Sequence, residues 1–256
     1  MTLPETYALI LALCSAAAAG CIGSFALMKR MSLAGDAISH VALPGIGIAL
    51  AFHFSPILGA GLMLFVGAVL IWNIERLTPL NTDTTTGVIF SAAIAFGALL
   101  IPTKEELIDA LFGNLQPLGT LEFALGLIAV AVIFFFIARY RDRLILSIFS
   151  PELAEATGIK LDRLNLYYLL AFSLTVLLGL RSLGALLMGS LIIIPAAIGR
   201  QLTHTFAAFL VVSAITASAA VAVGFFIATS YSLEFGPTIV ATATVGFCLS
   251  LFKKKK

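Results

Sequence analysis

Charge is scarce in this sequence: Asp, Glu, Lys and Arg together make up only 11% of its 256 residues. Soluble globular domains carry about 25% charged residues, so this composition excludes a cytosolic enzyme and a nucleic-acid-binding domain. Cysteine is also rare, because Cys14, Cys21 and Cys248 are the only 3 and they form no CxxC pair. The sequence therefore indicates neither a disulfide framework nor a thiolate zinc site.

Three catalytic motifs are absent as well. The chain has no phosphate-binding GxxxxGK(S/T) pattern, no HExxH zinc-protease pattern and no GxSxG nucleophile elbow. Any ATP hydrolysis linked to this protein must therefore be carried out by another chain. The protein itself is not expected to be an enzyme.

Apolar residues are abundant: 61% of the chain is hydrophobic and its mean hydropathy is +1.10. A helix that crosses a bilayer needs about 20 apolar residues, and the apolar runs here are continuous, unlike the alternating strands of a membrane β-barrel. The sequence predicts an all-α, polytopic membrane protein of about eight or nine spans, with residues 1–256 forming one transmembrane domain. The predicted spans are 6–28, 37–54, 57–74, 87–102, 120–138, 164–180, 183–199, 206–229 and 237–252.

The placement of positive charge predicts the orientation of these spans. With nine spans, all but two of the 15 Lys and Arg residues fall on one side of the membrane, and the two exceptions are Lys104 and Arg181. Cytoplasmic loops carry the excess of Lys and Arg. The sequence therefore predicts a multi-pass protein of the cell membrane, with an outer N-terminus and a cytoplasmic C-terminal tail, Lys253–Lys256.

The longest connection between predicted spans, residues 139–163, contains a short helix and lies in the cytoplasm on this orientation. Ser150 followed by Pro151 is typical of an N-cap and a first helical residue, and Gly158 is a typical C-cap. The helix is either a surface that another protein grips or an interfacial helix that covers the end of the bundle. The residues alone leave both readings open.

Two ionisable residues in the second predicted span, Asp36 and His40, are one helical turn apart and share a face. Ionisable groups at membrane depth are costly and mark a pathway or a site, and a carboxylate with an imidazole suits divalent zinc, manganese or iron. Pro44, Gly45 and Gly47 follow, and they are expected to bend or break the helix, as transporter helices do near a substrate path.

The alternative is that Asp36 caps the helix at the membrane interface while His40 is a buried, hydrogen-bonded imidazole. Two ligands are also too few for tight metal binding. A homodimer whose two-fold axis passes near this face would bring two pairs together and supply four ligands.

Six stretches of the sequence, in this order, resemble the permease subunits of zinc/manganese/iron ABC importers. They are RMSLAGDAISHVALPGIGIAL, DTTTGVIFSAAIAFGALL, ELIDALFGNLQPL, SPELAEATGIKLDR, GALLMGSLIIIPAAIGR and GPTIV. The resemblance covers roughly residues 25–252, and the GDAISH block is its most specific part.

The resemblance implies the fold of type II ABC importer permeases, in which two copies of this chain form the translocation path. It also implies two cytoplasmic ATP-binding subunits and an extracytoplasmic metal-binding protein as partners. The metal ligands of the family fall on Asp36 and His40. The cytoplasmic loop, 144–163, corresponds to the segment whose coupling helix inserts into the ATPase. The residues assigned to that contact are Pro151, Glu152, Glu155 and Gly158.

The implied function is ATP-driven import of a divalent metal ion, which is zinc, manganese or iron. The metal is the transported substrate, and no permanently bound cofactor is expected. The alternative is a secondary metal transporter driven by an ion gradient. Such a transporter usually has internal repeats with intramembrane acids in both halves, but Asp36 has no clear counterpart after residue 164. An intramembrane metalloprotease would need more ligands and a general base.

Overall fold

The computed structural model describes residues 3–31, 34–79, 82–101, 108, 111 and 117–252. Its described part contains ten α-helices and no strand. They are α1 (Leu3–Met28), α2 (Ala34–His40), α3 (Ala42–Ala51), α4 (Pro56–Leu77), α5 (Thr82–Leu100), α6 (Thr120–Phe149), α7 (Pro151–Ala156), α8 (Leu161–Leu202), α9 (Phe206–Tyr231) and α10 (Phe235–Leu251). Most of the ELIDALFGNLQPL stretch, Lys104 and the Lys253–Lys256 tail lie outside the described residues.

The helices confirm the all-α membrane class. Five are long and apolar enough to cross a membrane: Leu3–Met28, Pro56–Leu77, Thr120–Phe149, Leu161–Leu180 and Phe206–Tyr231. Four shorter apolar helices match the remaining predicted runs: Gly35–Ala51, Thr84–Leu100, Leu187–Leu202 and Phe235–Leu251. Each of the nine apolar runs found in the sequence therefore lies on a helix.

The second predicted span is broken, as expected, but the break lies before the glycines. α2 ends at His40, Val41 forms a turn, and α3 begins at Ala42. The cause is Pro44, because its ring clashes with the carbonyl four residues earlier, which belongs to His40. Gly45 serves a different purpose: it crosses Gly59 of α4 so closely that a side chain on either glycine would overlap the backbone of the other helix.

The helix that contains the fifth predicted span extends beyond the apolar run. Residue 138 was its predicted limit, yet α6 continues to Phe149. Arginine is a good helix former, so the charged stretch that follows residue 138 does not stop the helix. Leu144 is fully buried, and Ile145 and Ile148 pack against the core. The connection between α6 and α8 is therefore shorter than the predicted loop 139–163.

The long helix α8 is the centre of the bundle, because α1, α2, α4, α6, α9 and α10 all pack against it. It is interrupted at Gly184, whose φ of 71° and ψ of 174° lie in a region open to glycine. The interruption separates the two runs that the sequence predicted as 164–180 and 183–199. The second half of α8 thereby packs against α2, which carries Asp36 and His40.

Candidate metal-binding site

α2 places Asp36 and His40 on one face, one turn apart, as predicted. The Nδ1 atom of His40 lies 2.9 Å from the backbone carbonyl oxygen of Asp36. A carbonyl oxygen only accepts hydrogen bonds, so Nδ1 donates in this contact and the lone pair of Nε2 is left for another partner. Metal-binding imidazoles are held in this way, with the second ring nitrogen donating to a carbonyl or a carboxylate.

The imidazole is fixed while the carboxylate is open. His40 is only 5% exposed, and its ring meets the edge of the Phe90 ring from α5 at a centroid distance of 5.1 Å. The Asp36 side chain is 48% exposed, and its Oδ1 atom lies 3.9 Å from His40 Nδ1. This distance is too long for a hydrogen bond, so the ring does not engage the carboxylate, which remains available to a cation.

The position of the pair depends on Gly189 in the second half of α8. A Cβ atom at this position would lie 2.6 Å from Asp36 Cα and 2.7 Å from Asp36 N. The backbones of α2 and α8 are therefore in direct contact at this point. Ser39 is fully buried on the same helix, and its hydroxyl proton is donated to the Gly35 carbonyl oxygen at 2.7 Å within α2.

Asp36 and His40 are an incomplete site within one chain. Among the described residues, no group of three or more His, Cys, Asp or Glu side chains is placed to hold a metal ion. Protein-bound divalent cations take four or more ligands. The remaining ligands must come from water, from backbone oxygens or from a second molecule.

Two buried hydroxyl groups on α5 were missed by the sequence interpretation. Thr85 and Thr86 are 1% and 3% exposed, and neither Oγ1 atom has a hydrogen-bond partner in the part of the chain that the structure describes. Thr86 precedes Phe90, which covers His40, by one turn. Helical threonines elsewhere donate to the carbonyl four residues earlier, as Thr175 does to Ala171. The only signal in the sequence was a run of three threonines near the start of a helix.

The short helix α7 forms where it was predicted, and the glycine at its end has the expected role. Gly158 has a φ of 83°. Its N–H donates to the backbone carbonyl oxygen of Glu155, and the N–H of Ile159 donates to the backbone carbonyl oxygen of Ala154. This pair of bonds is a Schellman cap. Ser150 occupies the N-cap position, but its side chain makes no capping hydrogen bond.

α7 is held by one buried residue and otherwise faces outward. Ala154 is fully buried, while Leu153 is 54% exposed. Pro151, Glu152 and Glu155 are exposed as well. The helix therefore exposes one apolar side chain and two carboxylates on the outside of the bundle. Leu153 is a surface residue that the sequence interpretation did not assign.

These features define a helical membrane protein with a candidate metal-binding pair, and comparison with known proteins identifies its family. The model of the ABC 3 transport family matches residues 6–254, so the chain belongs to this family. It is 29% identical over 241 residues to the manganese transport system membrane protein MntC of Listeria monocytogenes, covering 93% of this chain and 86% of MntC. It is 26% identical over 239 residues to the high-affinity zinc uptake system membrane protein ZnuB of Haemophilus influenzae, covering 92% of both chains.

A solved structure gives the same fold. PsaBC from Streptococcus pneumoniae, in complex with Fab, superposes with a TM-score of 0.87 at 27% sequence identity, covering 100% of this chain and 94% of that chain. The resemblance inferred from the six sequence stretches is thus confirmed. The chain is a multi-pass ABC transporter permease of the family that includes manganese and zinc systems.

Proposed function

We propose that this chain is the membrane permease of an ATP-driven importer of divalent manganese or zinc, with iron as a further cation of the same ligand chemistry. The geometry of His40 carries this proposal. Its Nδ1 atom is committed to the Asp36 carbonyl, which leaves the lone pair of Nε2 for a cation, and the Asp36 carboxylate on the same helix is half exposed. The manganese and zinc transport systems to which its relatives belong support the choice of cargo.

The proposed path lies between two copies of the chain. Asp36 and His40 are too few ligands for a divalent cation, and the Asp36 side chain is half exposed in the single chain. A two-fold axis beside α2 places two such pairs face to face. Four protein ligands then replace part of the hydration shell of the ion, and the open carboxylates allow it to leave.

The proposed partners engage opposite ends of the bundle. α7 offers the exposed side chains of Leu153, Glu152 and Glu155, which suit contact with a cytoplasmic ATP-binding subunit. An extracytoplasmic metal-binding protein delivers the ion at the other end. This arrangement places the C-terminal tail in the cytoplasm, as the excess of Lys and Arg predicts.

A secondary transporter is less well supported by the distribution of acids. Glu234 is the only Asp or Glu after residue 164, so the second half of the chain holds no intramembrane carboxylate to carry a coupling ion. A protein driven by a partner ATPase has no need of one. Stoichiometric purification of an ATPase together with this chain supports the importer and counts against an ion-gradient mechanism.

Transport of radioactive manganese or zinc into proteoliposomes containing the permease and its ATP-binding subunits tests the proposed site. Asp36→Ala and His40→Ala should each lower uptake by about tenfold or more, the scale on which disturbing a metal site lowers affinity. His53→Ala is the matched control, because it also removes a histidine but from an exposed position after α3. Wild-type uptake by the Asp36→Ala, His40→Ala double variant, at equal protein abundance, would remove the site from the mechanism.

A further inference from the structure

Three polar side chains join three helices at the end of the bundle that carries α7. The ammonium group of Lys29, which follows α1, donates to Asn165 Oδ1 at 2.5 Å. The amide nitrogen of Asn165, in the first turns of α8, donates to Glu75 Oε2 at 2.8 Å. Glu75 lies near the end of α4. Lys29, Asn165 and Glu75 are called the three-helix tie below.

The tie is built from groups that have lost much of their water. Loss of hydration lowers the pKa of Lys29 from 10.5 to about 8, an effect that the Glu75 charge partly offsets. The ammonium nitrogen lies 4.8 Å from the centre of the Tyr168 ring, and Tyr168 is fully buried. Glu75 Oε1 is buried without a hydrogen-bond partner in the described part of the chain.

A buried polar cluster of this kind is not needed to stabilise the fold. Apolar side chains of similar volume often stabilise a fold as well as a buried ion pair does, because the charges must be stripped of water. A hydrogen-bonded cluster differs from apolar packing in having a defined geometry. Its contacts are either made or broken, so it transmits a displacement between helices that apolar surfaces would absorb by sliding.

The surroundings of the tie connect it to α7 on one side. Its three residues line a cavity of about 320 Å³ whose wall also includes Pro151, the first residue of α7. Across the same cavity, the indole N–H of Trp72 donates to the Asp162 carbonyl at 2.8 Å. A movement of α7 therefore reaches the first turns of α8, where Asn165 lies.

On its other side the tie connects to the metal-site helix. Lys29 precedes Ala34, the first residue of α2, by five positions in the sequence. α2 is also seated on α8 through Gly189 and Asp36. The tie thus lies between the helix that faces the partner and the helix that bears Asp36 and His40.

We propose that Lys29, Asn165 and Glu75 are positioning residues that transmit the movement of α7 to α2 and thereby couple ATP hydrolysis to release of the cation. This inference rests on the proposed function. When the tie is intact, displacement of α7 moves the ends of α1, α4 and α8 as one unit and α2 with them. When it is broken, α7 moves without α2, and ATP is hydrolysed without transport.

The number of ATP molecules hydrolysed per metal ion transported, measured in proteoliposomes with the partner ATPase, tests the tie. Asn165→Leu removes both hydrogen bonds at similar volume, and Glu75→Met removes the acceptor of the Asn165 amide while keeping a side chain of similar length. Each should raise this ratio, by about tenfold for Asn165→Leu, because charge-assisted hydrogen bonds contribute on that scale. Lys29→Arg keeps a charged donor, so its ratio should stay close to that of the wild type. Ser218→Ala is the matched control, since it removes a 3.1 Å hydrogen bond from α9 to the Leu13 carbonyl of α1.

The outcomes separate a coupling role from a structural one. If the tie only stabilises the fold, hydrolysis and transport fall together and the ratio is unchanged, which overturns the proposal. Glu75→Met breaks the tie from α4 and leaves Asn165 in place, so it keeps the test valid if Asn165→Leu does not fold. As a second readout, ATP should change amide hydrogen exchange in α2 of the wild type but not in Asn165→Leu. A wild-type complex that moves no manganese or zinc overturns the proposed function itself, whereas an active wild type with unchanged ratios overturns only the tie.

Discussion

The close contact between the backbones of α2 and α8 at Gly189 yields a prediction whose magnitude follows from the structure. In Gly189→Ala, the added Cβ would lie 2.6 Å from Asp36 Cα, whereas ordinary contacts begin at 3.4 Å. The two helices must therefore separate by about 0.8 Å. The atoms in conflict belong to the α2 backbone, so no change of side-chain rotamer relieves the overlap.

Both stability and transport should respond to this displacement. Overpacking of this kind typically costs about 1–3 kcal/mol, which lowers the melting temperature of the purified permease. Misplacement of reacting groups by about 1 Å can cost about 100-fold in rate. We therefore expect uptake of manganese or zinc to fall by about tenfold or more, even at equal abundance in the membrane.

Gly35→Ala is a matched control on the facing helix. Its added Cβ would find Gly189 Cα, Ile193 Cδ1 and Phe172 Cζ each at 3.6 Å, which are ordinary contacts. Uptake by this variant should stay close to that of the wild type. Full transport by Gly189→Ala, or equal losses in the two variants, would refute the view that Gly189 sets the position of Asp36.

Three further predictions follow from single residues. Gly184→Ala should lower the melting temperature by the equivalent of about 1–3 kcal/mol, because φ of 71° with ψ of 174° strains any other residue; an unchanged melting temperature would show that the interruption of α8 relaxes. The pKa of Lys29 is about 8 in the folded protein and 10.5 when the side chain is solvated. Between these pH values the unfolded chain binds more protons than the folded one. The free energy of unfolding should therefore rise with pH across that window, by at most about 3 kcal/mol. Lys29→Met should flatten this rise in thermal melting, and a rise of equal size in the variant would assign it to other groups. Leu153→Asp should reduce co-purification of the ATP-binding subunit without changing the melting temperature, because Leu153 is 54% exposed.

Local signals predicted the helices and the shared helix face of Asp36 and His40. Continuous apolar runs located the five long and four shorter apolar helices of the described chain, and the spacing of Asp36 and His40 put them on one face. Pro44 predicted a broken helix, although its action on the preceding turn moved the break to Val41. The apolar run that ends at residue 138 did not reveal that the arginines after it continue α6 to Phe149.

Contacts between distant segments were not predictable from spacing. Phe90 meets His40, and Gly189 meets Asp36, through packing of α5 and α8 against α2. A lone phenylalanine and a lone glycine in apolar helices have no distinguishing pattern. Their roles depend on which helices become neighbours, and that is a property of the whole bundle.

Lys29 shows why counting charges gives only part of their function. In the sequence it was one of many positive charges on the predicted inner side, and it contributed to orientation alone. In the structure it donates to Asn165 and lies over the ring of Tyr168, so it contacts neighbouring helices at the end of the bundle. A positive charge at a helix end can therefore set the orientation of a span and also join that span to its neighbours. For Lys29 the second role places a charged group between α7 and the helix that bears Asp36 and His40.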